Sequence, residues 1–99
     1  MKKIEFFRQV MSLVSSKTDI SEEQMLSMER TAEVLDARAL VVYFCKRYGI
    51  SNNEVRRLFG RNGHHFAQRM YDMCDARRRS SRYFSAIFVA IGKQLGIIE

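Results

Sequence analysis

No proline occurs in this 99-residue chain, cysteine occurs twice, and glycine only five times. Without proline, nothing breaks a helix from within, and only glycines and polar clusters punctuate the sequence. Strand-like alternation flanked by turns is missing too. Apolar residues instead recur at three- and four-residue spacing, the helical period. Two cysteines are too few for a disulfide framework in so small a chain. Cys45 and Cys74 both fall on apolar helix faces, so they are expected as reduced core thiols in a reducing cytoplasm. Long apolar runs are also lacking: the stretch 83–91 is too short to span a bilayer. Met1-Lys2-Lys3-Ile4 imitates a signal peptide only briefly, because Glu5 and Arg8 interrupt the apolar run and no small-residue cleavage site follows. The expectation is a soluble, cytoplasmic protein with no membrane partner.

Catalytic constellations are absent as well. The chain shows no Ser/Cys-His-acid set, no phosphate-cradling glycine loop and no paired carboxylates in an apolar setting. No catalytic residue and no cofactor is therefore expected. His64-His65 does not suggest a metal site, since adjacent positions diverge on a helix and no carboxylate or cysteine is suitably spaced.

What the chain does have is positive charge in one place. Its net charge is +6 and its pI near 9.7, which points to a polyanionic partner. Residues 30–82 hold twelve Lys/Arg and five Asp/Glu, a net +7, whereas residues 1–29 carry −1 and 83–99 carry 0. The apolar content of 46% is enough for a packed core, and the length allows only one domain.

The periodicity predicts six helices. The first covers about residues 3–16, with Ile4, Phe7, Met11 and Val14 on one stripe and Phe6, Val10 and Leu13 widening it. Ser21-Glu22-Glu23-Gln24 reads as a capping box opening a short second helix, about 22–29. The third, about 35–48, repeats Ala37, Leu40, Val41, Phe44, Cys45 and Tyr48 and ends at Gly49. Ser51-Asn52-Asn53-Glu54 is a second capping box, opening a fourth helix over 52–59 with Arg56 and Arg57 outward. The fifth runs from His64 to about 78, with Ala67, Met70 and Cys74 inward. The sixth, about 81–95, carries Phe84, Ile87, Phe88, Ile91 and Leu95 and is apolar nearly all round.

Leu58-Phe59-Gly60-Arg61-Asn62-Gly63-His64-His65-Phe66-Ala67 is the most informative stretch. A helix stops at a glycine, a basic loop follows, and a new helix opens with two polar rings, which is what a helix-turn-helix presents to the DNA major groove. Opposite the inward face lie His65, Gln68, Arg69 and Asp72, with His64 beside them. His64, His65, Gln68 and Arg69 are the expected base-reading set, since Gln pairs with adenine, Arg with guanine, and His donates to either base or phosphate. Arg56, Arg57 and Arg61 would clamp phosphates, with Asn62 as a neutral donor. Arg77 and Arg78 open a run to Arg82 that serves equally as a dipole-matched helix end or as a phosphate contact.

From about residue 30 to 74 the chain resembles the C-terminal DNA-binding domain of the bacterial replication initiator DnaA, in the Trp-repressor-like helix-turn-helix group. The likeness lies in Asp36-Ala37-Arg38 leading to Lys46-Arg47-Tyr48, in Ser51-Asn52-Asn53-Glu54-Val55 with Leu58-Phe59-Gly60, and in His64. After Phe-Gly and a basic loop, the initiator pattern reads Asp-His-Thr-Thr-Val. Here Gly63, His65, Phe66 and Ala67 surround the retained His64. The aspartate and both threonines, replaced here by Gly63, His65 and Phe66, read bases in the family, so the resemblance implies the fold and the docking mode rather than the same target. The initiator's ATPase module has no counterpart in these residues, so origin melting by this chain alone is not expected. The layout is also similar to that of the Trp repressor, whose outer helices build an intertwined dimer; no tryptophan-type effector site is identifiable.

The resulting expectation is an all-α domain over 1–99. It divides into an N-terminal helical extension (1–29), a helix-turn-helix core (30–78) and a C-terminal helix (79–99). Its function would be double-stranded DNA binding as a small transcriptional regulator or replication accessory factor. The wide stripes of the first and sixth helices suggest a homodimer. The competing function is a protein-interaction module that keeps the fold, and Phe66 discriminates: an inward ring leaves the fifth helix free for a groove.

Overall fold

The structure, a computed structural model, describes residues 1–97. It consists of α1 (Lys3–Thr18), α2 (Glu22–Leu26), α3 (Ala32–Tyr48), α4 (Asn52–Leu58), α5 (Phe66–Ser80) and α6 (Arg82–Gln94), with no strand among the described residues. The all-α reading with six helices in this order holds. Residues 98 and 99, part of the segment read as 79–99, lie outside the described residues.

α3 is the axis around which the rest packs. Every residue from 37 to 45 is buried, so this helix needs cover on all sides. α1 supplies Phe6, Phe7, Val10, Met11 and Val14, α5 supplies Ala67 and Cys74, and α6 supplies Phe84, Phe88 and Ile91. All of them join α3 in one cluster. Phe88 lies 5.0 Å from both Tyr43 and Phe44, joining α6 to the axis by ring contacts. Tyr48, expected on the buried stripe, sits at the exposed end of α3. There it stacks on Phe6 at 3.9 Å and donates its hydroxyl hydrogen bond to the Met1 carbonyl.

This packing removes the argument for a dimer through α1 and α6. That argument required one apolar row to stay wet in a single chain, at about 25 cal/mol for each Å² left exposed. Both rows of α1 instead close onto α3 within the same chain, as do Phe84, Phe88 and Ile91 of α6. What stays exposed, Ile4 on α1 and Tyr83 on α6, is scattered rather than a stripe.

The helix ends follow local chemistry. Both capping boxes form: the hydroxyls of Ser21 and Ser51 accept from the amides of Gln24 and Glu54, whose side chains return the bond. Gly49 (φ 110°) and Gly60 (φ 67°) sit in the left-handed region after α3 and α4. The amides that follow each of them, Ile50 and Arg61, reach back to the carbonyls of Cys45 and Arg56. α2 is shorter than expected, stopping at Leu26, because its last carbonyls are received by a side chain from α3. Arg38 Nε donates to the Met25 carbonyl at 2.7 Å, and Arg38 Nη2 to those of Gln24 (3.2 Å) and Ser27 (2.6 Å).

Candidate nucleic-acid interface

The helix-turn-helix is α4, the loop 59–65 and α5. Gly60 turns the chain, and the loop is held from both sides. Arg56 Nη1 donates to the Arg61 carbonyl at 3.0 Å, and Arg61 Nη2 donates to the Ser27 carbonyl at 2.6 Å. The Arg61 guanidinium also lies 5.3 Å from the Phe66 ring centre and 2.9 Å from Met28 Sδ. Phe66 in turn packs at 5.3 Å against Phe59. Its half-buried ring therefore faces the loop and the end of α4, the inward placement that leaves the outer face of α5 open.

His64 and His65 form a turn ahead of the helix, which starts at Phe66 rather than at His64. The Phe66 amide reaches the Gly63 carbonyl, and the helical pattern begins when Arg69 bonds to His65. Both rings are exposed, and neither makes a side-chain hydrogen bond among the described residues; His65 occupies the N-cap position without capping. One turn further on, Gln68 and Arg69 are exposed. Arg69 has no ion-pair partner among the described residues. Gln68 is engaged on both sides of its amide: Oε1 accepts from Lys46 Nζ at 2.8 Å, and Nε2 donates to Asp72 Oδ1 at 2.9 Å. Bidentate pairing with a base would require both partners to be exchanged.

The six residues expected at phosphates divide in two. Arg57 and Asn62 are exposed and free of side-chain partners among the described residues. Arg56, expected outward, is half-buried on the loop carbonyl, and Arg61 is folded back onto the α2–α3 connection. Arg77 forms a two-pronged pair with Asp36 of α3 (3.2 and 3.0 Å) and lies over Phe84. Arg78 pairs with Asp75 and lies over Phe88. These carboxylates raise the pKa of both guanidinium groups further above their ordinary value. The structure thus brings His64, His65, Gln68, Arg69, Arg57 and Asn62 to the solvent side of the motif and ties Arg56, Arg61, Arg77 and Arg78 to protein acceptors.

Sequence reasoning missed Lys46, which joins the α5 face through Gln68 and lies 4.6 Å from the Tyr71 ring centre. Nothing local marks it, because its partners come from a helix more than twenty residues away. Cys45 and Cys74 are buried free thiols. Burial pushes Cys45 up to about 12 and Cys74 also upward, so both stay protonated and unreactive at neutral pH. No helix of the described residues is long and apolar enough to cross a membrane.

A family model described as the bacterial dnaA protein helix-turn-helix matches residues 7–73, from the first turns of α1 through the first half of α5. No curated protein and no solved structure matches the chain. Two-thirds of the sequence, including the whole loop and the exposed start of α5, lies within that match, and the chain belongs to the bacterial dnaA helix-turn-helix family, a family of DNA-binding domains.

Proposed function

We propose that the chain binds double-stranded DNA by seating the start of α5 in the major groove. Arg69 and Gln68 would read base edges, assisted by the His64 and His65 rings. Arg57 and Asn62 would touch the flanking phosphates. Arg56 and Arg61 shape the loop, and either could reach a phosphate only by exchanging its present carbonyl. The role is that of a small transcriptional regulator or replication accessory factor acting on DNA in the cytoplasm. The observation that carries this reading is the exposed, carboxylate-free Arg69 one turn into a helix whose preceding loop is pinned by two other arginines. The Phe66 ring, turned toward Phe59 and Arg61, supports it over a protein-docking module, which would expose that ring beside the apolar residues of α6.

Titration of a random-sequence duplex at two salt concentrations tests the reading. Each phosphate neutralised steepens the log–log salt dependence by about 0.9, so about four contacts imply a roughly hundredfold loss of affinity between about 50 and 200 mM salt. A flat response, or no binding at the lower concentration, would rule the reading out.

A further inference from the structure

Between the α2–α3 connection and the start of α5 lies a recess of about 310 Å³, at the small end of the range for organic ligands. Four arginines line it. Arg30 and Arg69 stand at the exposed rim, Arg61 is half-buried, and Arg38 is only 2% exposed. Arg38 Nη2 and Arg61 Nη2 both donate to the Ser27 carbonyl, each at 2.6 Å, so two cations crowd one neutral acceptor. Burial, followed by the charges of Arg61 and Arg30, lowers the pKa of Arg38, and the more weakly acting Glu29 charge only partly offsets them. No Asp or Glu lines the recess, and none of the four arginines forms an ion pair among the described residues. Glu29, beside them in sequence, has its carboxylate on the Thr31 hydroxyl at 3.0 Å. Arg61 Nε is buried with no acceptor. Buried guanidinium groups without a counter-ion are costly, and planar donor forks are suited to phosphate and carboxylate.

The rest of the lining is apolar: Met28, Phe66, Met70 and Met73 among others. Thioethers adapt to irregular shapes and favour aromatic rings. A sugar-phosphate backbone offers such a wall only its sugar carbons, whereas a phosphate or carboxylate carried on an aromatic ring can cover it. We propose that this recess is a site for a small organic anion, a phosphate or carboxylate joined to a flat apolar body, with the anion among the arginines and the body on the methionines. Arg69 belongs both to this recess and to the face that would read DNA, so an occupied site withdraws it from the groove. That regulatory consequence rests on the DNA-binding reading; the site itself does not.

The test is a titration of the full chain, carrying ¹³C-methyl methionine, with phenyl phosphate, inorganic phosphate and a random-sequence duplex, each followed by NMR. Phenyl phosphate should move the methyl signals of Met28, Met70 and Met73 saturably, leave Met11 in the α1–α3 core unmoved, and bind at least about tenfold more tightly than inorganic phosphate. Arg30→Ala and Arg69→Ala, both at exposed positions where folding is not at stake, should each weaken it at least about threefold. Equal affinity for the two anions overturns the proposal. So does a response to the duplex alone, which would assign the arginines to backbone phosphates. If phenyl phosphate binds as described while no duplex binds at any salt concentration, the site stands and the DNA reading falls.

Discussion

Arg69 stands one turn into α5, exposed and with no carboxylate against it among the described residues. About two turns further along the same helix, Arg77 and Arg78 are held by Asp36 and Asp75 and lie over the rings of Phe84 and Phe88, while Arg79 shares Asp75. The residue type is the same at both ends, but its field is not. A guanidinium already paired with a local carboxylate projects little net charge, and exchanging that partner for a phosphate gains little. By sequence alone the run 77–82 is the densest positive cluster, yet in the structure it serves mainly to lash α5 to α3 and to itself. Arg30, Arg38, Arg57, Arg61 and Arg69, none in an ion pair among the described residues, lie around the helix-turn-helix, whereas in the 77–82 run Arg78 and Arg79 share one carboxylate and Arg82 alone has none. Pairing as well as density shapes the electrostatic footprint.

The sharpest way to break this comparison is at Arg38, the buried member of the unpaired set. Arg38→Ala should destabilise the fold by about 3 kcal/mol or more. It leaves the Met25 carbonyl without this donor, takes one of several donors from the carbonyls of Gln24 and Ser27, and opens a void where the largest fully buried side chain sits. Urea or thermal unfolding reads this directly, with an expected fall in midpoint of at least about 10 °C. A loss below about 1 kcal/mol would mean that α2 caps itself and that Arg38 is held for another purpose.

At the exposed end of α5, Arg69→Ala should reduce discrimination between preferred and random duplexes by about 1–3 kcal/mol, the worth of a good bidentate base contact. Competition binding with the two duplexes measures it. If affinity for both falls equally, Arg69 is a phosphate contact.

The two ends of the motif are then compared by salt dependence. Arg57→Ala should lower the log–log slope by about one unit, as expected for the loss of a phosphate contact. Arg77→Ala should leave the slope unchanged and cost about 0.5 kcal/mol of stability, since its ion pair with Asp36 is partly exposed. A slope change on Arg77→Ala would show that the paired arginines do reach DNA and would erase the distinction between the two ends.

The smallest effect concerns an exposed ion pair at the start of α4, one turn before Arg57. Lys3 and Ser51 hold the Glu54 carboxylate below its ordinary pKa, with Lys3 Nζ at 3.2 Å. The folded carboxyl binds its proton less tightly than the unfolded one. Its contribution is therefore complete above the ordinary glutamate range and is lost as pH falls through that range and below. Glu54→Gln should accordingly narrow its stability difference from the parent chain as the pH drops toward 3, followed by thermal unfolding across that window. A difference that grows on acidification would contradict the assignment.

The capping boxes at Ser21 and Ser51, the stops at Gly49 and Gly60, the helical period and the position of the helix-turn-helix were legible because each depends on residues no more than five positions apart. A hydroxyl three residues before a glutamate, or a glycine where the backbone must turn left-handed, states its purpose locally. The outcome of the wide stripes on α1 and α6 was not legible in this way. Their amphipathicity shows that something must cover them, but whether α3 or a second chain does so depends on how three helices cross. The fates of the cations were decided at the same level. Arg77 finds Asp36 across forty-one residues, Arg61 finds Ser27 across thirty-four, and Lys46 finds Gln68 across twenty-two. By itself, the sequence determined which segments are helical, where the glycines stop α3 and α4, and that positive charge concentrates near the motif. Only the tertiary structure decided which of those charges are neutralised and which remain open to an anion. A side chain's electrostatic partner is set by distance in space, and local sequence rules do not encode that distance.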